Sequence, residues 1–171
     1  PSEREVLHDG DIVSIDVGAF YNGYHGDNAA TFRVGAIRPE AEQLLNATRE
    51  SLYNAIEVIQ PGRRLGDIGY TVERTVRRYG LYPVRDYVGH GIGQNMHEPP
   101  DVPNYGRAGH GMRLEVGMVL AVEPMINQKS ADVYVAKDGW TVKTALGGLS
   151  AHFEHTVAIT ERGPVILTKT S

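Results

Sequence analysis

Three acidic residues of this chain stand inside runs of apolar residues, and any interior built from those runs has to accommodate their charge. Asp16 follows Ile12, Val13 and Ile15; Glu123 follows Val119, Leu120, Ala121 and Val122; Glu154 sits beside Phe153, ahead of Val157 and Ile159. An ionised carboxylate in an apolar core either shifts its pKa upward or is compensated by a cation. Two further stretches have the same character, Asp27 in YHGDNAATF and His90 in GHGIG, each placing a potential ligand beside glycines. Singly, each of the five is most simply a satisfied strand-end carboxylate or a loop histidine. Together, four carboxylates and one imidazole describe an oxygen-rich site in which carboxylates can bridge two metal ions ~3.5–4 Å apart. Such a pair lowers the pKa of a bridging water and polarises a carbonyl, which is what amide hydrolysis requires. His97 in MHEPP, beyond His90 in the stretch GHGIGQNMHEPP, is then placed as a non-ligand histidine that hydrogen-bonds the scissile amide.

The rest of the chain bounds what could surround such a site. With 171 residues it suits a single domain. No apolar run approaches the ~20 residues that span a bilayer. The net charge is -4, and the basic residues are scattered apart from Arg63-Arg64 and Arg77-Arg78, which read as solvated helix faces, so there is no nucleic-acid footprint. Zero cysteines exclude disulfides, thiolate metal sites and cysteine nucleophiles, and fit a reducing cytoplasm.

Local patterns predict a strand over 11–17, a two-residue hairpin turn at Asn22-Gly23, and a second strand over 27–34. Helical spacing of Leu44, Leu45, Leu52, Ala55, Ile56 and Ile59 predicts a long helix from Pro39, stopped by Pro61-Gly62. A shorter one runs over 67–79 and ends at Gly80. Strands are predicted near 87–88 and over 118–123, 133–135, 141–144, 152–159 and 164–167, with the Pro- and Gly-rich stretch 98–111 as a functional loop. Hairpin, two helices, then a larger antiparallel region imply an α+β domain.

At these residues the chain resembles the methionine aminopeptidase family, bacterial type. The likeness runs along essentially the whole chain, through DGDIVSIDV, HGD, GHGIG with HEPP, EPM, KDGWTVKT and SAHFEHT. It implies a pita-bread fold, an antiparallel curved sheet covered by helices in two pseudo-symmetric halves around a dinuclear site. It implies that Asp16 chelates one ion, that Asp27 and Glu154 bridge both, and that His90 and Glu123 complete the second. The ions would be divalent: Co2+, Mn2+, Fe2+ or Zn2+. Glu123 would also act as base toward the bridging water, and His97 would hold the substrate. Trp140 matches the family's substrate-pocket aromatic, and Met96 stands where many members have Phe. The implied substrate is the N-terminal Met of nascent polypeptides, in the cytoplasm and in reach of the ribosome, with neither DNA nor a membrane as partner. Residues 1–171 would form one catalytic domain, N-terminally truncated: its start falls at the Pro of a CHGIP-like motif whose His lies upstream, and His8 reads as an exposed surface residue. That implies an uncovered apolar side met by a companion N-terminal fragment or by self-association. Two other readings share features with this one. A prolidase or aminopeptidase P uses the same five ligands but lacks the HEPP and KDGWTVKT patterns, and a non-catalytic peptide-binding module of the same fold typically loses ligands.

Overall fold

The computed structural model describes residues 5–169; residues 1–4, on which the reading of the chain's start rests, lie outside them. Asn22 and Gly23 both take positive φ (49° and 86°), the signature of a type I′ turn, and they join β1 (Ile12–Tyr21) to β2 (Tyr24–Arg33). So tight a turn fixes the register: Tyr21 pairs with Tyr24, and counting back places Gly18 opposite Asp27 and Asp16 opposite Ala29. Asp16 and Asp27 therefore lie diagonally on one face of the hairpin. On β2 that face is buried at Asp27, Ala29 and Thr31. β1 is different. Asp16 and its apolar neighbours Ile15 and Val17 are exposed, so this carboxylate is not enclosed in a core as its sequence surroundings suggest. β1 belongs to a two-stranded ribbon and has a partner on one edge only.

Helix α1 (Pro39–Glu57) opens with Pro at its start, where the missing N–H costs nothing, and carries Glu40 and Glu42 in its first turn. Its buried positions Leu44, Leu45, Thr48, Leu52, Ala55 and Ile56 recur at three- and four-residue steps. Helix α2 (Leu65–Arg77) begins with one half of a capping box: the Asp67 carboxylate accepts from the Arg64 backbone N–H at 3.0 Å. Gly80, at φ 70°, turns the chain away after α2, and Leu81 N–H bonds back to the Val76 carbonyl. The arginine pair at the end of α2 lies at the surface as predicted, Arg77 bonded to Glu73 and Arg78 to Glu50. Leu44, Leu52, Ile68, Val72 and Val76 pack the helices over Val102, Leu114, Leu120, Ile126, Val157 and Ile159. Each such large side chain contributes about 1.5–3 kcal/mol of burial.

The β-rich half holds β3 (Tyr82–Pro83), β4 (Gly89–Gly91), β5 (Glu98–Val102), β6 (Val119–Val122), β7 (Met125–Asn127), β8 (Val133–Val135), β9 (Val142–Thr144), β10 (Ser150–His152), β11 (His155–Thr160) and β12 (Gly163–Ile166). A five-stranded sheet runs β12-β11-β6-β4-β5 and a three-stranded one β10-β7-β3. The same two chain segments serve both. β6 passes through Glu123-Pro124 into β7, while β10 passes through Phe153-Glu154 into β11. Since Val122 pairs with His155 and Met125 with His152, the two breaks face each other. The stretch read as one strand over 152–159 is thus two. Pro124 has no N–H to donate at this crossing, which fits the interrupted ladder. Two other readings change. Residues 98–102 are not loop but edge strand β5, a position where prolines are tolerated. The strand expected at 87–88 is β4, held between β5 and β6; a Cβ at Gly89 would strike the Ala121 carbonyl, and one at Gly91 the Pro99 carbonyl. The glycines around His90 therefore serve close strand approach. β8 and β9 pair only with each other.

Candidate metal centre

The crossing point of the two sheets is where the acidic side chains gather. Glu123 and Glu154 lie in the two facing breaks, free of the regular strand alternation. The hairpin is tied to them through its buried face. Glu154 N–H donates to the Ala29 carbonyl at 2.8 Å. Thr156 Oγ1 accepts from Asp27 N–H at 2.9 Å and donates to the Asp27 carbonyl at 2.8 Å. The Asn28 amide donates to the Glu154 carbonyl. Asp27 and Glu154 are thus held by their own backbones, before any ion is considered.

His90 approaches from β4. Its Nδ1 faces the Gly91 carbonyl at 2.9 Å; with the proton there, Nε2 keeps its lone pair for a metal. That Nε2 lies 3.5 Å from Glu123 Oε1 and 4.0 Å from Asp27 Oδ2. Donor atoms of Asp27, His90 and Glu154 all fall within 4.8 Å of one another, and so do those of Glu123, His152 and Glu154. Asp16 lies diagonal to Asp27 on the hairpin; burial of its carboxyl first, and then the charges of Asp27 and Glu123, raise its pKa against the lowering pull of His152. Burial first, and then the charges of Glu123, Asp27 and Asp16, push the Glu154 carboxyl up to about 9. Glu154 is only 2% exposed, and its Oε1 has no hydrogen-bond partner. Four carboxylates converging on one spot, two of them buried and one with an unused oxygen, fit divalent cations.

The structure brings Asp16, Asp27, His90, Glu123 and Glu154 together. His97 lies beside them, its ring centroid 4.3 Å from that of His90, and both line an open cavity of about 520 Å3. Met96 covers the floor of the hairpin: a Cβ at Gly18 would collide with its methyl group and come 3.7 Å from Asp27 Oδ1. Trp140 stands apart, 87% exposed just before β9, where no described cavity includes it. His8 is exposed, with its N–H bonded to Asp11. Sequence reasoning missed His152, whose Nε2 lies 3.3 Å from Glu123 Oε2. The available signal was its two-residue spacing from Glu154, which in an extended chain puts both side chains on one face.

A profile of the metallopeptidase family M24 matches residues 1–161. The methionine aminopeptidase of Clostridium acetobutylicum is 51% identical over 168 residues, covering 98% of this chain and 67% of that protein. Methionine aminopeptidase 1 of Bacillus subtilis is also 51% identical, covering 99% and 68%. Among solved structures, the methionine aminopeptidase of Thermotoga maritima superposes with a TM-score of 0.96 at 48% identity, covering 99% of this chain and 68% of that one. The prolidase of Pyrococcus furiosus does so at 0.73 and 30%, covering 96% and 43%. The chain spans about two thirds of the length of these curated relatives.

Proposed function

The chain belongs to metallopeptidase family M24 and groups within it with the methionine aminopeptidases, and from that premise we propose that it removes N-terminal methionine by metal-dependent hydrolysis, residues 1–171 acting as one catalytic unit. One observation carries the reading: the buried Glu154, with an unpartnered oxygen, among three further carboxylates and an imidazole. Asp16, Asp27, Glu154, His90 and Glu123 would hold two divalent ions, with Asp27 and Glu154 shared. Bound there, the ions would supply Lewis acidity to the scissile carbonyl and lower the pKa of water.

The protein's own groups do the rest. A Glu123 carboxylate oxygen takes the proton of the attacking water, and His97 hydrogen-bonds the substrate amide from beside His90. Met96, packed on Gly18, borders the methionine side chain, and Trp140, exposed on the turn between β8 and β9, would be the aromatic that meets the substrate from outside. The physiological substrates are nascent chains at the ribosome in the cytoplasm. A companion segment, or a second copy, covers the apolar side of the hairpin. Among the described residues no helix is long and apolar enough to cross a membrane.

The test is elemental analysis after loading with Co2+ or Mn2+, together with release of free methionine from Met-Ala peptides. Two ions per chain are expected, with little methionine release from the chain alone and more when a peptide supplying the companion N-terminal segment is added. Cleavage of Xaa-Pro dipeptides in its place would move the chain to the prolidase branch, which shares its fold at lower identity.

A further inference from the structure

His152 has no assigned part in this chemistry, yet it is held as firmly as any residue around the site. It closes β10, paired with Met125. Its backbone N–H donates to Thr31 Oγ1 at 2.8 Å, and the same hydroxyl donates to the His152 carbonyl at 2.9 Å. The start of the side chain is therefore fixed against the hairpin that carries Asp16 and Asp27. Its Nε2 is buried and makes no hydrogen bond, although Glu123 Oε2 is 3.3 Å away. A histidine kept only to orient Glu123 would point a proton at that oxygen. Here the two atoms lie close without hydrogen-bond geometry, as two electron-pair donors facing one point do.

The donor groups form two overlapping trios, linked also by the 3.5 Å approach of His90 Nε2 to Glu123 Oε1. Asp27, His90 and Glu154 form one trio, and Glu123, His152 and Glu154 form another, each within 4.8 Å and each of two carboxylates and one imidazole. Glu154, with its unpartnered Oε1, belongs to both. We infer that His152 is a sixth metal ligand, binding through Nε2 on the Glu123 side, and that it biases this position toward ions that favour imidazole, such as Co2+ and Zn2+, over Mn2+. The inference rests on the dinuclear reading above. Thr31 anchors the ligand's backbone as an outer-shell partner anchors a ligating side chain.

Metal-free chain is titrated with Co2+ alone and with Mn2+ alone by calorimetry, and the Co2+ form is examined by proton NMR for strongly shifted, exchangeable imidazole N–H signals. Wild type is expected to show two such signals, from His90 and His152, and His152→Gln one. Gln keeps a hydrogen-bond donor near Glu123 but is a poor ligand, so Co2+ affinity should fall about 10–100-fold while Mn2+ affinity changes little. A single signal in wild type overturns the proposal without recourse to any variant. So does a His152→Gln chain that binds Co2+ as wild type does, or one that loses Co2+ and Mn2+ equally. In those cases the dinuclear reading stands, whereas wild type that binds neither ion overturns that reading too.

Discussion

A carboxyl group pushed up to about 9 holds a proton at neutral pH, and for Glu154 this gives the metal-free protein a definite pH dependence. Between the ordinary value of 4.5 and about 9, the folded chain keeps a proton that the unfolded chain has released. Unfolding then releases a proton, so the group's favourable contribution is complete below the lower value and is lost as pH rises through the window. Melting in EDTA should therefore show a lower Tm at about pH 8.5 than at about pH 5.5. Added Co2+ or Mn2+ should reverse the trend, because ions bind the deprotonated group. Glu154→Gln should flatten the profile, stabilise the metal-free chain at pH 7 by on the order of 2–3 kcal/mol, and lose metal. A variant as pH-sensitive as wild type would mean that Glu154 is not the titrating group. The proposed roles of His97 and Glu123 separate in a similar way. His97→Ala should reduce kcat for methionine release by roughly 10²–10⁴-fold with metal content unchanged, whereas Glu123→Gln should lose both activity and part of the metal. If the His97 variant also sheds metal, His97 is a ligand and the division of roles is wrong.

At the scale of elements, the site depends on a join between two separately hydrogen-bonded pieces, the β1–β2 hairpin and the crossed sheets. Thr156 makes that join at Asp27, accepting from its N–H and donating to its carbonyl. Thr156→Val keeps the shape and removes both bonds, leaving buried backbone groups unpaired. A loss of about 1–3 kcal/mol in urea denaturation is expected, with weaker metal binding because Asp27 is released. Unchanged metal affinity would show that the strand register alone positions Asp27. The two pieces differ in how far their sequences reveal them. Asn22-Gly23 admits essentially one turn, and that turn sets the pairing that puts Asp16 diagonal to Asp27, so this part of the ligand face is legible from the residues themselves. The helices are equally plain from their apolar spacing. The sheet crossing is not, because an apolar run carries no mark of where its hydrogen-bonding partner changes; only Pro124 hints at it. Residues 98–102 resemble a loop for a related reason, since proline content cannot tell an edge strand from a turn. His152 is hidden by the same break. Inside a continuous strand it would be one more side chain beside Glu154; at a crossing, it faces Glu123.

For the whole molecule, the hairpin is two-sided. Asp16 and Asp27 share one face, and the opposite face presents Ile15 (49% exposed), Val17 (57%), Tyr24 (60%) and Phe32 (51%) to solvent. Between that face and α1 lies an open, mixed groove of about 590 Å3, in which Phe32, Leu45 and Tyr53 meet Arg33, Glu42 and Arg49. An apolar hairpin face such as that of Ile15, Val17, Tyr24 and Phe32 is rarely left uncovered on a soluble monomer. Nothing on that face is a ligand, so covering it and binding metal are separable properties. The 171-residue chain alone is therefore expected to take up its metal yet to self-associate, with a sedimentation profile that shifts to larger species as concentration rises. Replacing Val17 and Phe32 together by Lys should return the profile toward monomer while leaving Co2+ stoichiometry unchanged, since both side chains point away from Asp16 and Asp27. Self-association that survives the double substitution would place the contact elsewhere, with the unpartnered β8–β9 hairpin and its exposed Trp140 as the next surface to alter. Loss of metal in the same variant would instead mean that the two faces are coupled, and that covering the hairpin helps to hold Asp16 and Asp27 in register.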